Sequence, residues 1–391
     1  MTVSTAVKWA VSSMTGAPTL NGTAGSMITL LDAFLVNGFG TKAVDSATVT
    51  DGICRLAITG ASAAMDHSVI QLAGITGSGV ALNGLQRLKT AAAGYVEFPC
   101  DLPDGALTGT ITFKIAPLGW EKVFSKTNVA VYRSTDPAGT RAYYRVDDTQ
   151  ALYARVQMYE AMSDVDTGVA AAPQSVSGGY YWYKRQSAGA TGVYWVLCGD
   201  SRGVLVGVAA HASSTAAASN GYGTICHPMG DLKSYRSGDP WCAVLSGAPT
   251  ASFGDSSGCI FSTQGSTGLT LQRVSAGLGG AVQVARSVSG TGVSGADATL
   301  GPFPSRADNG FRLSKIALSD GAMASNGPRG DVPGVYHCPQ SGLLASMGAD
   351  VRLTPGQGDF AGAQLLTIGC GGGSGAATGC GVVDVTSDWR A

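Results

Sequence analysis

The chain has 391 residues, of which 57 are glycine, 13% are charged and only 4 are histidine, for a formal net charge of -1. With no Lys/Arg run longer than a pair such as Lys184-Arg185, it lacks the basic footprint that nucleic-acid backbones require. No apolar stretch approaches the ~18 to 20 residues that cross a bilayer, and 45% apolar residues argue against global disorder.

The first predicted element is a helix at about 26–37 within an N-terminal segment of residues 1–41. Ser26 is placed to cap it; Met27, Leu31, Phe34 and Leu35 form an apolar stripe, and Asn37-Gly38 supplies a left-handed stop. The stripe is expected to pack on the protein's own sheet. Residues 1–10 show no charged segment ahead of an apolar block, so a chain made and kept in the cytosol is expected.

Between 42 and 117, alternating stretches at 47–50, 53–58, 68–72, 85–90, 95–98 and 110–115 are separated by glycine-rich punctuation. Such spacing predicts a small antiparallel, β-barrel-like module. The segments Val69-Ile70-Gln71-Leu72-Ala73-Gly74, Leu82-Asn83-Gly84, Gly94-Tyr95-Val96-Glu97-Phe98 and Gly109-Thr110 resemble a compact β-module of tailed-phage virion proteins. That module is similar to the small barrel in the first catalytic-cysteine half-domain of ubiquitin-activating enzymes, where it is a scaffold without a nucleophile.

From 118 to 340 the strands become longer and more aromatic. Stretches at 129–133, 142–147, 154–162, 180–184, 194–197 and 204–210, then 243–245, 260–262, 269–274, 282–288, 311–318 and 334–337, predict an antiparallel β-sandwich with no helical period between strands. A glycine-rich β segment, 341–391, with strands at 364–369 and 382–385, is expected to pack on it. The fold class is thus all-β with one short N-terminal helix.

The resemblance widens across this larger part. Val7-Lys8-Trp9, Gly16-Ala17-Pro18, Leu30-Leu31-Asp32, Val36-Asn37-Gly38-Phe39-Gly40, Arg145-Val146-Asp147-Asp148-Thr149, Gly330-Asp331-Val332-Pro333-Gly334 and Thr386-Ser387-Asp388-Trp389 look like segments of tailed-bacteriophage virion structural proteins, as does the stretch 159–168. The resemblance implies a β-rich, multicopy particle component assembled in the host cytoplasm, partnered by itself and other virion proteins, with no catalytic residues or cofactor to carry over. A tail or baseplate position is expected, with a head-attached decoration or fibre as the alternative.

Other chemistry rests on a few groups. Asp147, Asp148, Glu160, Asp164 and Asp166 are the densest acids, and paired carboxylates can hydrolyse a glycan or hold calcium. Asp164-x-Asp166 begins like a calcium loop, but Gly168 falls one position early and Ser175 stands where a bidentate Glu belongs, so Asp164 and Asp166 make a weak cation site at most. Gly199-Asp200-Ser201-Arg202-Gly203 has the spacing of a hydrolase elbow, yet a strand follows it, which favours a hairpin turn. Arg329-Gly330-Asp331 reads as an exposed turn after Asn326-Gly327-Pro328.

The nine cysteines are scattered without a Cys-x-x-Cys and read as buried small hydrophobes. Cys226-His227 and His337-Cys338 are poor zinc chelators because neighbours on a strand face opposite ways. Cys370 and Cys380 bracket a glycine tract, where a disulfide is conceivable only in an oxidising medium. The run Tyr180-Tyr181-Trp182-Tyr183 presents one face to the core and one outward. With Tyr194 and Trp195 on the next strand, Tyr180 and Trp182 are the candidate contacts for a partner or a host surface glycan, against the simpler expectation of cross-strand packing.

Overall fold

A computed structural model describes residues 4–215, 223–261, 267–287, 300–321, 326–348, 351–371 and 376–391, and the chain they trace is all-β apart from short helical turns. Every strand ladder among these residues is antiparallel, and four sheets plus a two-stranded ribbon account for the strands.

The N-terminal helix forms as its apolar spacing dictates, with α-helix at Ser26–Leu31 running into a π-helical turn at Asp32–Asn37 and ending at Gly38, φ 72°. Met27, Leu30, Leu31, Phe34 and Leu35 are buried against the protein's own strands. The cap differs from expectation. Gly25, in the left-handed region, holds the cap position, and Ser26 Oγ instead donates back to the carbonyls of Asn21 and Thr23. The orphan amides of Met27 and Ile28 are taken by a remote carboxylate, Asp148 Oδ2, at 2.7 and 3.4 Å.

The module predicted at 42–117 is one eight-stranded sheet curled into a half-barrel. Its organiser is the long strand Gly105–Ile115, which pairs at one end with Ser46–Thr50 and at the other with Val69–Thr76 and Phe39–Ala43. Alternation is plain on Ser46–Thr50, where Ala47 and Val49 turn inward and Ser46, Thr48 and Thr50 outward.

Beyond the module, Glu121–Lys126, Val129–Arg133, Tyr143–Asp147, Tyr153–Tyr159 and Tyr180–Tyr183 form a five-stranded sheet. A seven-stranded sheet runs from Lys8–Val11 through Tyr194–Gly199, Gly203–Ala209, Ile225–Asp231, Ala243–Ser246 and Leu269–Leu271 to Val282–Gln283. A second sheet of seven places Gln364–Cys370 and Gly379–Asp384 between Gly330–His337 and the edge strand Arg352–Pro355. The N-terminal and C-terminal segments thus supply strands to the large sheets. One apolar cluster runs from Val7 to Trp389 through all of this, and a smaller one gathers Cys338, Leu343, Met347, Leu365, Cys380 and Val382.

Three local expectations are corrected. Residues 260 and 261 form a turn, with Ile260 N donating to Cys226 O at 2.8 Å, and residue 262 lies outside the described residues. Arg329-Gly330-Asp331 is not an exposed turn. Arg329 is buried, its guanidinium held by both oxygens of Asp239 at 3.0 Å and by Asp320 at 3.0 Å, because Gly330–His337 is an interior strand. Cys370 and Cys380 face opposite sides of their hairpin, since Cys380 is paired with Gly369 and Cys370 with Gly379. Cys370 Sγ instead approaches Cys226 Sγ at 3.9 Å, and all nine cysteines are free thiols.

Candidate contact surface

On the aromatic strand Tyr180–Tyr183 only Tyr181 is partly exposed; Tyr183, on the same face, is buried with its Oη donating to Thr250 O at 3.3 Å, and Tyr180 and Trp182 lie on the fully closed face. Tyr180, Trp182, Tyr194 and Trp195 are all buried between sheets, so none is a surface contact. The polar ends of Tyr180, Trp182 and Trp195 are spent internally. Tyr180 Oη shares a 2.6 Å hydrogen bond with Thr270 Oγ1, Trp182 Nε1 donates to Ser246 O at 2.7 Å, and Trp195 Nε1 donates to Pro18 O at 3.0 Å. Trp182 also stacks on His227, ring centroids 5.8 Å apart and planes 5° from parallel. Cross-strand and inter-sheet packing accounts for all four.

What the five-stranded sheet turns outward is a different set: Tyr143, Arg145, Tyr153, Arg155, Tyr159 and Tyr181, each partly exposed. The Arg155 guanidinium lies 3.8 Å from the centre of the Tyr181 ring, and Tyr153 meets Tyr181 edge-on at 4.9 Å. A ring face covered by a guanidinium is closed to a sugar, so this geometry does not favour glycan stacking on Tyr181.

The acidic cluster is drawn into structural pairing. The hairpin turn carrying Asp164 and Asp166 folds over Arg145, whose Nε donates to Val165 O at 2.8 Å. Asp166 accepts from Lys126 Nζ at 2.7 Å and Arg145 at 3.0 Å, and these partners hold its carboxyl below the usual range. Asp164 is lowered too, chiefly by the main-chain amide of Asp166, which with that of Thr167 donates to it at 2.8 Å. Two carboxylates kept ionised leave neither as the proton donor that glycoside cleavage needs. Glu160 is bidentate with Arg273 at 2.7 Å, and Asp148 pairs with Lys184. Among the described residues, no group of three His, Cys, Asp or Glu side chains is placed to hold a metal ion.

The elbow-like Gly199-Asp200-Ser201-Arg202-Gly203 is a hairpin turn. Asp200 Oδ1 accepts from the amides of Arg202 and Gly203 at 2.8 and 2.7 Å, Ser201 Oγ donates to Asp136, and strand Gly203–Ala209 follows directly.

The surface that sequence reasoning missed is the tip of the β-module. No charged side chain occurs between residues 73 and 86 or between 105 and 113, although most of these residues face solvent. Val80 is 58% exposed and Leu85 41% exposed at its crest. The tip is firmly built. Asn83 Oδ1 accepts from Ile75 N at 3.0 Å while Asn83 Nδ2 donates to Ile75 O at 2.8 Å, so a side-chain amide completes the end of strand Val69–Thr76. Gly74 and Gly109, with φ of 88° and 128°, let that strand and Gly105–Ile115 approach where their register shifts. A Cβ on Gly74 would stand 2.0 Å from Thr110 O. The signal was present as an uncharged stretch beside Leu82-Asn83-Gly84.

No protein-family model matches the chain, and a search of curated proteins finds no match to it.

Proposed function

We propose that the chain is a structural component of a tailed-phage particle, assembled in the host cytoplasm and seated at the tail or baseplate. There it works through repeated contacts with copies of itself and with other particle proteins. The observation that carries this reading is the uncharged tip of the β-module. A sheet end held by Asn83 and by close glycine contacts, yet leaving Val80 and Leu85 in water, suits a surface that a neighbouring subunit covers. The outward Tyr and Arg side chains of the five-stranded sheet add a second surface of interface-like composition. The sequence resemblance spread from Val7 to Trp389 points to the same class of protein.

The test is particle composition. Purified particles should contain the protein in a fixed multiple, with tail or head position read from labelled particles by electron microscopy. Val80→Glu with Leu85→Glu should leave the isolated chain's melting temperature unchanged and block its incorporation. A protein missing from particles, or a charged tip that incorporates normally, overturns the proposal.

A further inference from the structure

A polar cleft of about 650 Å³ opens where four segments distant in sequence converge: residues 138–140, Arg202, most of the stretch from Asp231 to Cys242, and Arg390. Its volume lies within the ~300–1,000 Å³ of small-ligand sites. The lining carries acids and bases in different places. Asp231 and Asp239 are buried and fixed: Asp231 accepts from Thr140 N at 2.8 Å and from Thr140 Oγ1, and Asp239 is held by Arg329. Arg390 is likewise committed, to Asp200 at 2.6 Å and to the carbonyls of Asp231 and Leu232.

The cations nearer solvent are less fully used. Arg236 is exposed and makes no ion pair among the described residues. Arg202 gives one hydrogen bond to Ala138 O at 3.0 Å and stands 3.6 Å from Asp136. Lys233 is exposed and reaches the main-chain oxygen of Ala391. The acids therefore lie in the floor with partners, and the cleft presents guanidinium and ammonium groups above them. Thr140, Ser234 and Ser237 also line it, the hydroxyls of Thr140 and Ser234 donating to Asp231 and Asp239, while Leu232 is the largest aliphatic side chain. A carboxylate has about four acceptor positions, so Asp231 retains capacity beyond its two bonds to Thr140.

We propose that this cleft binds an acidic sugar, with the ligand carboxylate on Arg236 and Arg202 and a ligand hydroxyl donating to Asp231. The site stands apart from the module tip, and its failure would leave the assembly reading untouched. Cations alone would take any small anion; the hydroxyl-lined walls and the floor carboxylate, which repels a bare anion, select a ligand that carries both charge and donors.

The experiment is calorimetric titration of the full chain with trigalacturonate, maltotriose and inorganic phosphate, at low and high salt. Trigalacturonate should bind, more weakly as salt rises, while maltotriose and phosphate should not compete at equal concentration. Arg236→Ala, at an exposed position that folding does not need, should weaken binding about tenfold or more; Arg312→Ala, outside the cleft, should not change it. No trigalacturonate binding up to ~10 mM, or unchanged binding by Arg236→Ala, overturns the site. Equal binding of phosphate overturns the sugar assignment.

Discussion

Asp148 and Lys184 form an ion pair in which neither side chain is exposed, and the second carboxylate oxygen of Asp148 caps the N-terminal helix through Met27 N. Lys184 Nζ also donates to the carbonyls of Thr23 at 2.6 Å and Gln150 at 2.8 Å, so one buried charge cluster ties the helix entry to two strands of the five-stranded sheet. Removing one partner strands a buried charge. Lys184→Met and Asp148→Asn should each cost roughly 3–5 kcal/mol in urea unfolding, and the double variant should cost clearly less than the sum. Additive losses would show that the two residues act independently.

The enclosed Trp182 and the partly exposed Tyr181 on strand Tyr180–Tyr183 predict opposite outcomes for neighbouring substitutions. Trp182→Ala removes a fully enclosed indole packed on His227 and should cost about 3–5 kcal/mol. Tyr181→Ala trims a partly exposed ring resting on Arg155 and Tyr153 and should cost about 1 kcal/mol or less. Denaturant midpoints of the two variants decide it, and equal losses would contradict the assigned orientation.

Legibility in the sequence followed local pattern. In the module, period-two alternation between glycines marked Ser46–Thr50, Ile53–Ala57 and Tyr95–Pro99 closely, because alternate residues of each turn inward. The single stretch at 85–90 is two strands, Gly84–Arg87 and Thr90–Ala92, and Gly105–Ile115 begins before the alternation at 110–115, in a part where its residues are largely exposed. Ile225–Asp231 was missed because it is buried along its whole length, so it has no alternation, and because Pro228 reads as a breaker. Pro228 is tolerated one residue before the ladder with Ala243–Ser246 begins, and Pro333 falls where the pairing of Gly330–His337 with Ser314–Ser319 is irregular. The helix cap was hidden for another reason: its carboxylate comes from 121 residues away. At the aromatic strand the two faces were readable, but both carry aromatics, so sequence could not say which one the second sheet would cover. The neutrality of the module tip was visible in the residues themselves; that Val80 and Leu85 stand exposed there was not.

At Gly74, positive φ and close approach act together. A methyl there would sit 2.0 Å from Thr110 O at φ 88°, so Gly74→Ala should cost about 3 kcal/mol through backbone displacement. Gly84, with φ 118° and open space within 4 Å of where a methyl would stand, isolates the conformational part, and Gly84→Ala should cost about 1 kcal/mol. If thermal melts place the two variants together, the contact between the strands is not what the glycine at 74 protects.

His227 sets the expected response to acid. Its ring is enclosed against Trp182, Nδ1 lies 3.2 Å from Gly258 O, and burial lowers its pKa from 6.5 to about 4. The unfolded chain takes up a proton near pH 6.5 while the folded chain resists until about 4. The stability gained from keeping the ring neutral is therefore complete above pH 6.5 and drains away as pH falls through that window, by roughly 3 kcal/mol in all. Urea unfolding at half-unit steps from pH 7.5 to 4 should show this decline. His227→Phe, which keeps an aromatic ring against Trp182, should flatten it even if its stability at pH 7 is lower, since the Ser246 and Gly258 contacts are lost. An acid slope unchanged by that substitution would assign the proton uptake to other groups, with His67 and His211, both also lowered by burial, the next to replace.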